Sequence, residues 1–511
     1  MDNTQFIELE YKSKGLEKQL RKKQKGKYIV FRHGHIAITD VGKKDLFEFK
    51  KILSVWDKVS FKYRPVGYYY VEGMRELRIG RGFNRELLKE YFPDYQFIVD
   101  NDPIPCDTID IELTTPPRDD YQKAGLTFMA SKGQYKNNAK YTQFLIDMAV
   151  GKGKTYMGAS ITAYLKRRCI VIIPIAKLIP QWIESFTTFT TLKEDDIVVI
   201  QGSKMCEKTI NGKYRDKKVF IVMANTLNSF HKSAGDVGLY DFYYATQAGI
   251  KIIDEVHRDM TMIQKIEALS NFRWNYYMSA TPGRTDRKEN WIFKMSYFNV
   301  PKFGSQFMTD DEKHLQVMIK KYLYLPTQKQ INRIINKRVG MNTKSYETEL
   351  RSSTDEQRQG FEQSFRLILQ WVKHNLEKDY KVMVLAYTID FLSYLAELAK
   401  DIFPGDVGIY YGGLKQHEKD EALKHKLIIA TSSSLGTGAD IKGLQFVINT
   451  TTYSNWIETK QISGRLREIK GVNQVYIELV NFGWFKTVKQ FEKRKKYLVD
   501  ISKTKKLIVV N

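Results

Sequence analysis

Ile146-Asp-Met-Ala-Val-Gly-Lys-Gly-Lys154-Thr155 decides how this chain is read: an apolar strand, Phe144 to Ile146, runs into a glycine-bearing turn, and Gly-Lys-Thr opens a helix. Gly151 and Gly153, flanking Lys152, let the backbone curl so that successive N–H groups point inward at phosphate oxygens. Lys154 adds a point charge for the β- and γ-phosphates, and the Thr155 hydroxyl stands where it can ligate Mg²⁺. The strict pattern wants glycine at the first loop position, where this chain has Met148. The stretch predicts ATP and Mg²⁺ as cofactors.

A second signal lies downstream in Ile252-Ile-Asp254-Glu255-Val-His257, at the end of another apolar strand. Carboxylates at the carboxyl end of a strand in an open α/β sheet face the nucleotide. Asp254 would hold Mg²⁺, directly or through water, and Glu255 would orient or deprotonate the attacking water. An Asp-Glu pair at a strand end is common on surfaces; its place several βα units after a phosphate loop gives it meaning. His257 either couples the nucleotide to the next motif or is a polar neighbour of the site.

A chain of 511 residues is too long for one core, so two to four domains are expected. Lys and Arg number 82 against 58 Asp and Glu, a net charge of +24. Such an excess favours a polyanionic partner, because counterions released from a phosphate backbone drive binding. No apolar run reaches the roughly 18 residues of a membrane span. The N-terminus is charged and lacks the apolar core of a signal peptide. Cys106, Cys169 and Cys206 form neither a metal spacing nor a disulfide framework. A cytoplasmic home is expected, the host's if the source is viral.

Residues 1–112 mix strand-like and helix-like pieces, with Asn84 capping a short helix through Tyr91. Asp100 to Pro117 reads as a linker. From there to about residue 300, short buried strands alternate with helices, the rhythm of a parallel sheet covered on both faces. A polar stretch from about 301 to 354 links to a second alternating block. The expectation is an α/β protein with a small α+β N-terminal domain (1–112), parallel-sheet domains over 113–305 and 306–485, and a basic C-terminal segment (486–511).

The order of motifs resembles that of superfamily 2 helicases and translocases, from residue 118 to about 480. Arg118-Asp-Asp-Tyr121-Gln122 resembles the adenine-reading glutamine motif, which implies that Gln122 pairs with the base edge. Ile173-Pro174-Ile-Ala-Lys177-Leu, with Gln181-Trp182 behind it, resembles a segment that grips a nucleic-acid strand through Lys177, and Ala224-Asn-Thr226 resembles a further strand contact. Ser279-Ala280-Thr281-Pro282 resembles the element linking hydrolysis to strand movement. In the second block Leu385-Ala-Tyr387-Thr388 resembles a strand-contact turn through Thr388. Thr431 through Gly438 and Asp440 resembles the motif that touches both strand and ribose. Gln461-Ile-Ser-Gly464-Arg465-Leu-Arg467 resembles the arginine-finger helix. The resemblance implies two tandem RecA-like domains, with the phosphate loop and the Asp-Glu pair on one and the finger arginines on the other. Hydrolysis then requires closure of the cleft between them.

The finger departs from the family pattern, which places its second arginine three residues after the first; Glu468 stands there and Arg467 comes one residue early. On a helix one position rotates a side chain by about 100°, so Arg465 is the safer catalytic assignment. The pattern of the N-terminal region resembles that of phage UvsW-type branch-migration helicases. Arg75, Arg78, Arg81 and Arg85 near Tyr68, Tyr69 and Tyr70 either suit DNA or solvate a turn over core tyrosines, and Trp484 and Phe485 read as core. The function expected is an ATP-dependent DNA helicase or translocase on forked, branched or duplex DNA, in recombination, repair or replication. The alternatives are an RNA helicase or transcript-release ATPase, and the motor of a duplex translocase complex.

Overall fold

The computed structural model describes residues 26–57, 62–71, 74–100, 102–131, 142–148, 151–279, 287–304, 315–336, 340–435, 441–453, 456–469, 471–504 and 506–510. The chain forms two compact units, Met1–Phe307 and Met308–Asn511.

Each unit is built on a seven-stranded sheet whose pairings are all parallel. In unit 1 the strands run in the order Ile197–Ile200, Val219–Met223, Cys169–Ile173, Ile250–Ile253, Trp274–Ser279, Gln143–Asp147, Lys302–Phe303. Cys169–Ile173 and Ile250–Ile253 are buried along their whole length, as strands covered on both faces must be. In unit 2 the order is Val407–Tyr410, Leu427–Thr431, Lys381–Ala386, Leu444–Asn449, Gln474–Asn481, Leu315–Tyr322, Ile508–Val510. The tandem parallel-sheet architecture expected from the sequence is present, with a small α/β domain before it. At the carboxyl edge of such a sheet, loops from neighbouring strands converge.

Two stretches carry more structure than their sequence suggests. The polar link from about 301 to 354 contains the strand Leu315–Tyr322 and the helices Gln328–Ile334 and Thr343–Arg351. Lys320 and Lys321 interrupt the apolar run of that strand, although the Lys320 side chain is buried. The segment 486–511 contributes most of the helix Phe485–Ile501 and the strand Ile508–Val510, which pairs with Leu315–Tyr322. Trp484 is buried as expected; Phe485 is not core, being 65% exposed.

The N-terminal region of unit 1 is a five-stranded sheet ordered Tyr68–Val71, Glu76–Gly80, His35–Ile38, Tyr28–Phe31, Gln96–Val99. The helix Lys43–Ile52 covers it, and the helix Arg85–Tyr91 is capped by the Asn84 side chain accepting from the Glu86 N–H. This sheet is joined to the parallel block through buried polar groups. The Arg78 guanidinium donates to the Ala268 carbonyl at 2.8 Å, and the His35 Nδ1–H donates to the Ser270 carbonyl at 3.1 Å. At Gly34 a Cβ would fall 2.2 Å from the Ser270 carbonyl oxygen, so only glycine permits the approach.

Arg78 is therefore no DNA contact. It is 2% exposed and, with Arg32, shares the buried Glu76 carboxylate at 2.6 and 2.8 Å. Burial pushes the Glu76 pKa up, but the charges of Arg78 and then Arg32 outweigh it and hold the carboxyl below its ordinary value. The stability this group contributes is present at neutral pH and lost as pH falls through that lowered pKa. Glu76→Ala would strip the buried Arg78 of its carboxylate and leave Arg32 only Asp100, 3.4 Å away, and we expect it to cost about 3–5 kcal/mol. A denaturant midpoint for the first transition equal to that of the wild type would contradict this reading.

Candidate nucleotide site

The phosphate loop opens where the strand Gln143–Asp147 ends. Gly151 and Gly153 sit at φ 79° and 91°, in the left-handed region where a side chain is strained. Gly153 is constrained twice over, because a Cβ there would meet the Gln122 amide nitrogen at 2.3 Å. It caps the helix Lys154–Leu165, whose residues from Tyr156 to Ala163 are buried, so Lys154 and Thr155 stand on the first turn at the sheet edge. The departure at Met148 has a local cause: its side chain is fully buried and its N–H donates to the Ser279 carbonyl at 3.2 Å. That position extends the strand instead of forming the turn, and glycine is not required there.

Gln122 braces the loop from the helix Asp120–Met129, whose first turn is capped by Asp119. Its amide accepts from the Arg118 N–H at 3.1 Å and donates to the Lys152 carbonyl at 3.1 Å. The Arg118 guanidinium adds a bond to the Gly151 carbonyl at 3.2 Å.

Asp254 and Glu255 follow the strand Ile250–Ile253, two places across the sheet from the phosphate-loop strand. The Lys154 ammonium donates to the Met148 carbonyl at 3.3 Å and lies 3.8 Å from a Glu255 carboxylate oxygen. The structure thus brings Lys154, Asp254 and Glu255 together on one sheet edge. Burial raises the Asp254 pKa to about 6, the Glu255 charge adds to the rise, and Lys154 opposes it. A divalent cation would stabilise the ionised form. Glu255 itself is held at φ 47°, a left-handed conformation costly for a non-glycine residue. His257, buried, is 2.7 Å from the Ser279 hydroxyl and 3.3 Å from Glu255. It links the carboxylate pair to the start of the Ser279–Pro282 motif, of which Ala280, Thr281 and Pro282 lie outside the described residues.

A further residue of the nucleotide site is Trp182, which the sequence places only behind the strand-gripping segment. Its indole N–H donates to Asp254 Oδ2 at 3.0 Å, while the Glu255 N–H donates to Oδ1 at 2.8 Å. The ring fits only because residue 158 is glycine; a Cβ there would lie 2.6 Å from the indole. A fully buried tryptophan needs an acceptor for its N–H, and that requirement was the available signal. The residues present fit Mg²⁺, which Thr155 and Asp254 would hold through a hydroxyl and a carboxylate, both hard oxygen donors. We expect Trp182→Phe, which frees one carboxylate oxygen of its donor, to raise the half-saturating Mg²⁺ concentration of ATP hydrolysis by about 10- to 100-fold. An unchanged half-saturating Mg²⁺ concentration would show that Trp182 only fills space.

Lys177 is exposed in the short turn Ala176–Leu178 after Cys169–Ile173, and Thr226 is half-buried in the first turn of the helix after Val219–Met223. These strands are neighbours, so both residues lie on the carboxyl edge that carries the phosphate loop.

In unit 2, Thr388 caps the helix Ile389–Ala399 by accepting from the Phe391 N–H. Thr431 ends the strand Leu427–Thr431 and is 5% exposed. Gly438 and Asp440 lie outside the described residues. The finger arginines are not on a helix: Trp456–Ser463 ends at Gly464, and tight bonds follow from Arg465 N–H to the Ile462 carbonyl and from Arg467 N–H to the Arg465 carbonyl. Helical rotation thus does not set the direction of Arg467, which is exposed. Arg465 lies close enough to Tyr410 for its charge to oppose the rise that burial gives the phenol pKa.

Residues 116–284 match the family model of the Type III restriction enzyme, res subunit, and residues 359–469 match the helicase conserved C-terminal domain. The chain is 25% identical over 236 residues to the general transcription and DNA repair factor IIH helicase/translocase subunit XPB2 of Arabidopsis thaliana, covering 45% of this chain and 28% of that protein. It is 24% identical over 371 residues to a protein of Acanthamoeba polyphaga mimivirus named as an ATP-dependent RNA helicase, covering 68% of this chain and 62% of that one. The chain thus spans less than two thirds of the length of either relative. Among solved structures, the Pyrococcus furiosus Hef helicase domain aligns at 14% identity with a TM-score of 0.45, over 73% of this chain and 97% of that one. T4 UvsW aligns at 16% identity with a TM-score of 0.35, over 95% and 99%.

Proposed function

Since the chain belongs to the superfamily 2 helicases, and so is an ATP-hydrolysing helicase or translocase, we propose that it acts on DNA and remodels forked or branched duplexes. The observation that carries the reading is the shared carboxyl edge of unit 1, where Lys154, Asp254 and Glu255 converge and Lys177 and Thr226 stand on neighbouring strands. Lys154 and the loop N–H groups bind the phosphates, Glu255 orients or deprotonates the attacking water, and Thr155 and Asp254 hold Mg²⁺. Mg²⁺, when bound, supplies charge neutralisation at the β- and γ-phosphates. Lys177, Thr226, Thr388 and Thr431 grip the strand by its backbone, which moves the protein without reading sequence. Arg465 adds charge in the transition state, and Gly438 and Asp440 contribute to the ribose side. Recombination, repair or replication would use such an activity, and the net charge of +24 suits any nucleic acid.

DNA is favoured because the plant relative is named as a DNA repair helicase/translocase subunit. The mimivirus relative, named as an RNA helicase, supports the second reading, an RNA-directed motor. The deciding experiment presents labelled DNA forks, four-way junctions, plain duplexes and RNA hybrids to the full chain with ATP. Faster separation of forks and junctions than of RNA hybrids is expected; a strong preference for RNA would overturn the DNA assignment and leave the ATPase site in place. Binding should weaken steeply with salt, as several phosphate contacts require.

A further inference from the structure

The helix Thr343–Arg351 lies in the stretch between the two motif-bearing blocks, and none of the motifs reaches it. It is fixed at the carboxyl edge of the unit 2 sheet. The Thr343 hydroxyl donates to the Thr452 carbonyl at 2.6 Å, past the end of the strand Leu444–Asn449. The Asn481 amide, at the end of Gln474–Asn481, donates to the Tyr346 hydroxyl at 2.9 Å, and the Tyr346 ring stacks on Trp484 with a centroid distance of 6.2 Å.

From this anchored helix one carboxylate reaches the next strand end. Glu347, 1% exposed, accepts from the Tyr387 N–H at 2.8 Å through one oxygen. Through the other it accepts from the Thr388 N–H at 2.8 Å and the Thr388 hydroxyl at 2.9 Å. The outer side of the same turn faces solvent, with Tyr387 45% and Ile389 49% exposed. Burial raises the Glu347 pKa to about 7, even though all three of these donors favour its charged form. A buried carboxylate is costly to keep, yet this one directs both oxygens to two consecutive residues of one turn.

We propose that Glu347 is a positioning residue for nucleic-acid binding: by taking the Thr388 O–H and both N–H groups, it fixes the Tyr387–Thr388 turn in the conformation that presents its exposed face, Tyr387 and Ile389, to a nucleic-acid strand. The proposal rests on the assignment of this turn as a strand contact. Glutamine cannot replace the carboxylate, because its amide would set an N–H₂ group against a backbone N–H.

The test titrates fluorescein-labelled oligo(dT) and oligo(U) against the full chain, Glu347→Gln, Tyr387→Ala and the double variant, reading anisotropy and stimulated ATP hydrolysis. Leaving a buried donor unsatisfied should raise the half-saturating oligonucleotide concentration of Glu347→Gln by about 5- to 100-fold. The kcat at saturating oligonucleotide should stay within about twofold. The double variant should bind no more weakly than the sum of the single effects, and less weakly if the two act through one turn. An unchanged half-saturation in Glu347→Gln while Tyr387→Ala binds weakly would overturn the proposal, as would a loss of kcat with half-saturation unchanged. If Tyr387→Ala itself binds normally, the strand-contact assignment falls, and the positioning role falls with it. Should Glu347→Gln fail to fold by circular dichroism, Thr343→Val decides. It loosens the same helix and should shift half-saturation in the same direction by less, and no shift would overturn the proposal.

Discussion

Arg465→Ala is expected to lower kcat for ATP by about 10³- to 10⁵-fold, the range for removing an arginine finger. The KM for ATP should change little, as it does when a group acts mainly in the transition state. Arg465 sits in the turn after the helix Trp456–Ser463, its backbone tied to Ile462 and its charge felt by the buried Tyr410. Arg467→Ala should cost less, because Arg467 is exposed and two residues further from the helix end. Steady-state kinetics of both variants at saturating oligonucleotide check this. Near-normal turnover by Arg465→Ala would shift the finger elsewhere.

The second large effect concerns the phosphate loop. Lys154→Ala should reduce turnover by about 10²- to 10³-fold, as the loss of one preorganised charge at a reacting oxyanion does. Oligonucleotide binding should survive, since Lys177, Thr226, Thr388 and Thr431 are proposed to carry it. Glu255→Gln should bind ATP and stall before hydrolysis. Its carboxylate lies 3.8 Å from the Lys154 ammonium and 3.3 Å from His257, and the amide keeps its shape while losing its charge. Wild-type turnover by either variant would sink the site assignment.

The phosphate loop and the Asp254-Glu255 pair were legible because their chemistry depends on residue types at fixed local spacing. Contacts that join distant parts of the chain were not. Trp182 and Asp254 are 72 residues apart, and Thr388 and Glu347 are 41 apart. A tryptophan or glutamate on an amphipathic helix reads as core or as surface until its partner is known. The strand Leu315–Tyr322 was hidden because a buried lysine, Lys320, breaks its apolar run. Arg78 leaves a DNA contact and a solvated turn both open for the converse reason: a cluster of arginines signals a polyanion, and the sequence does not show that Arg78 pairs with Glu76 inside the fold. The resemblance places the finger on a helix, whereas that helix ends at Ser463 and Arg465 follows Gly464 in a turn.

In the proposed mechanism, hydrolysis at Lys154, Asp254 and Glu255 drives movement along a nucleic-acid strand. Its most direct test is strand separation on a labelled DNA fork, measured with ATP, with a non-hydrolysable ATP analogue, and with Glu255→Gln plus ATP. Separation is expected from the wild type with ATP alone, with tight binding and no separation in the other two cases. Separation by Glu255→Gln at the wild-type rate, or by the wild type with the analogue, would contradict it.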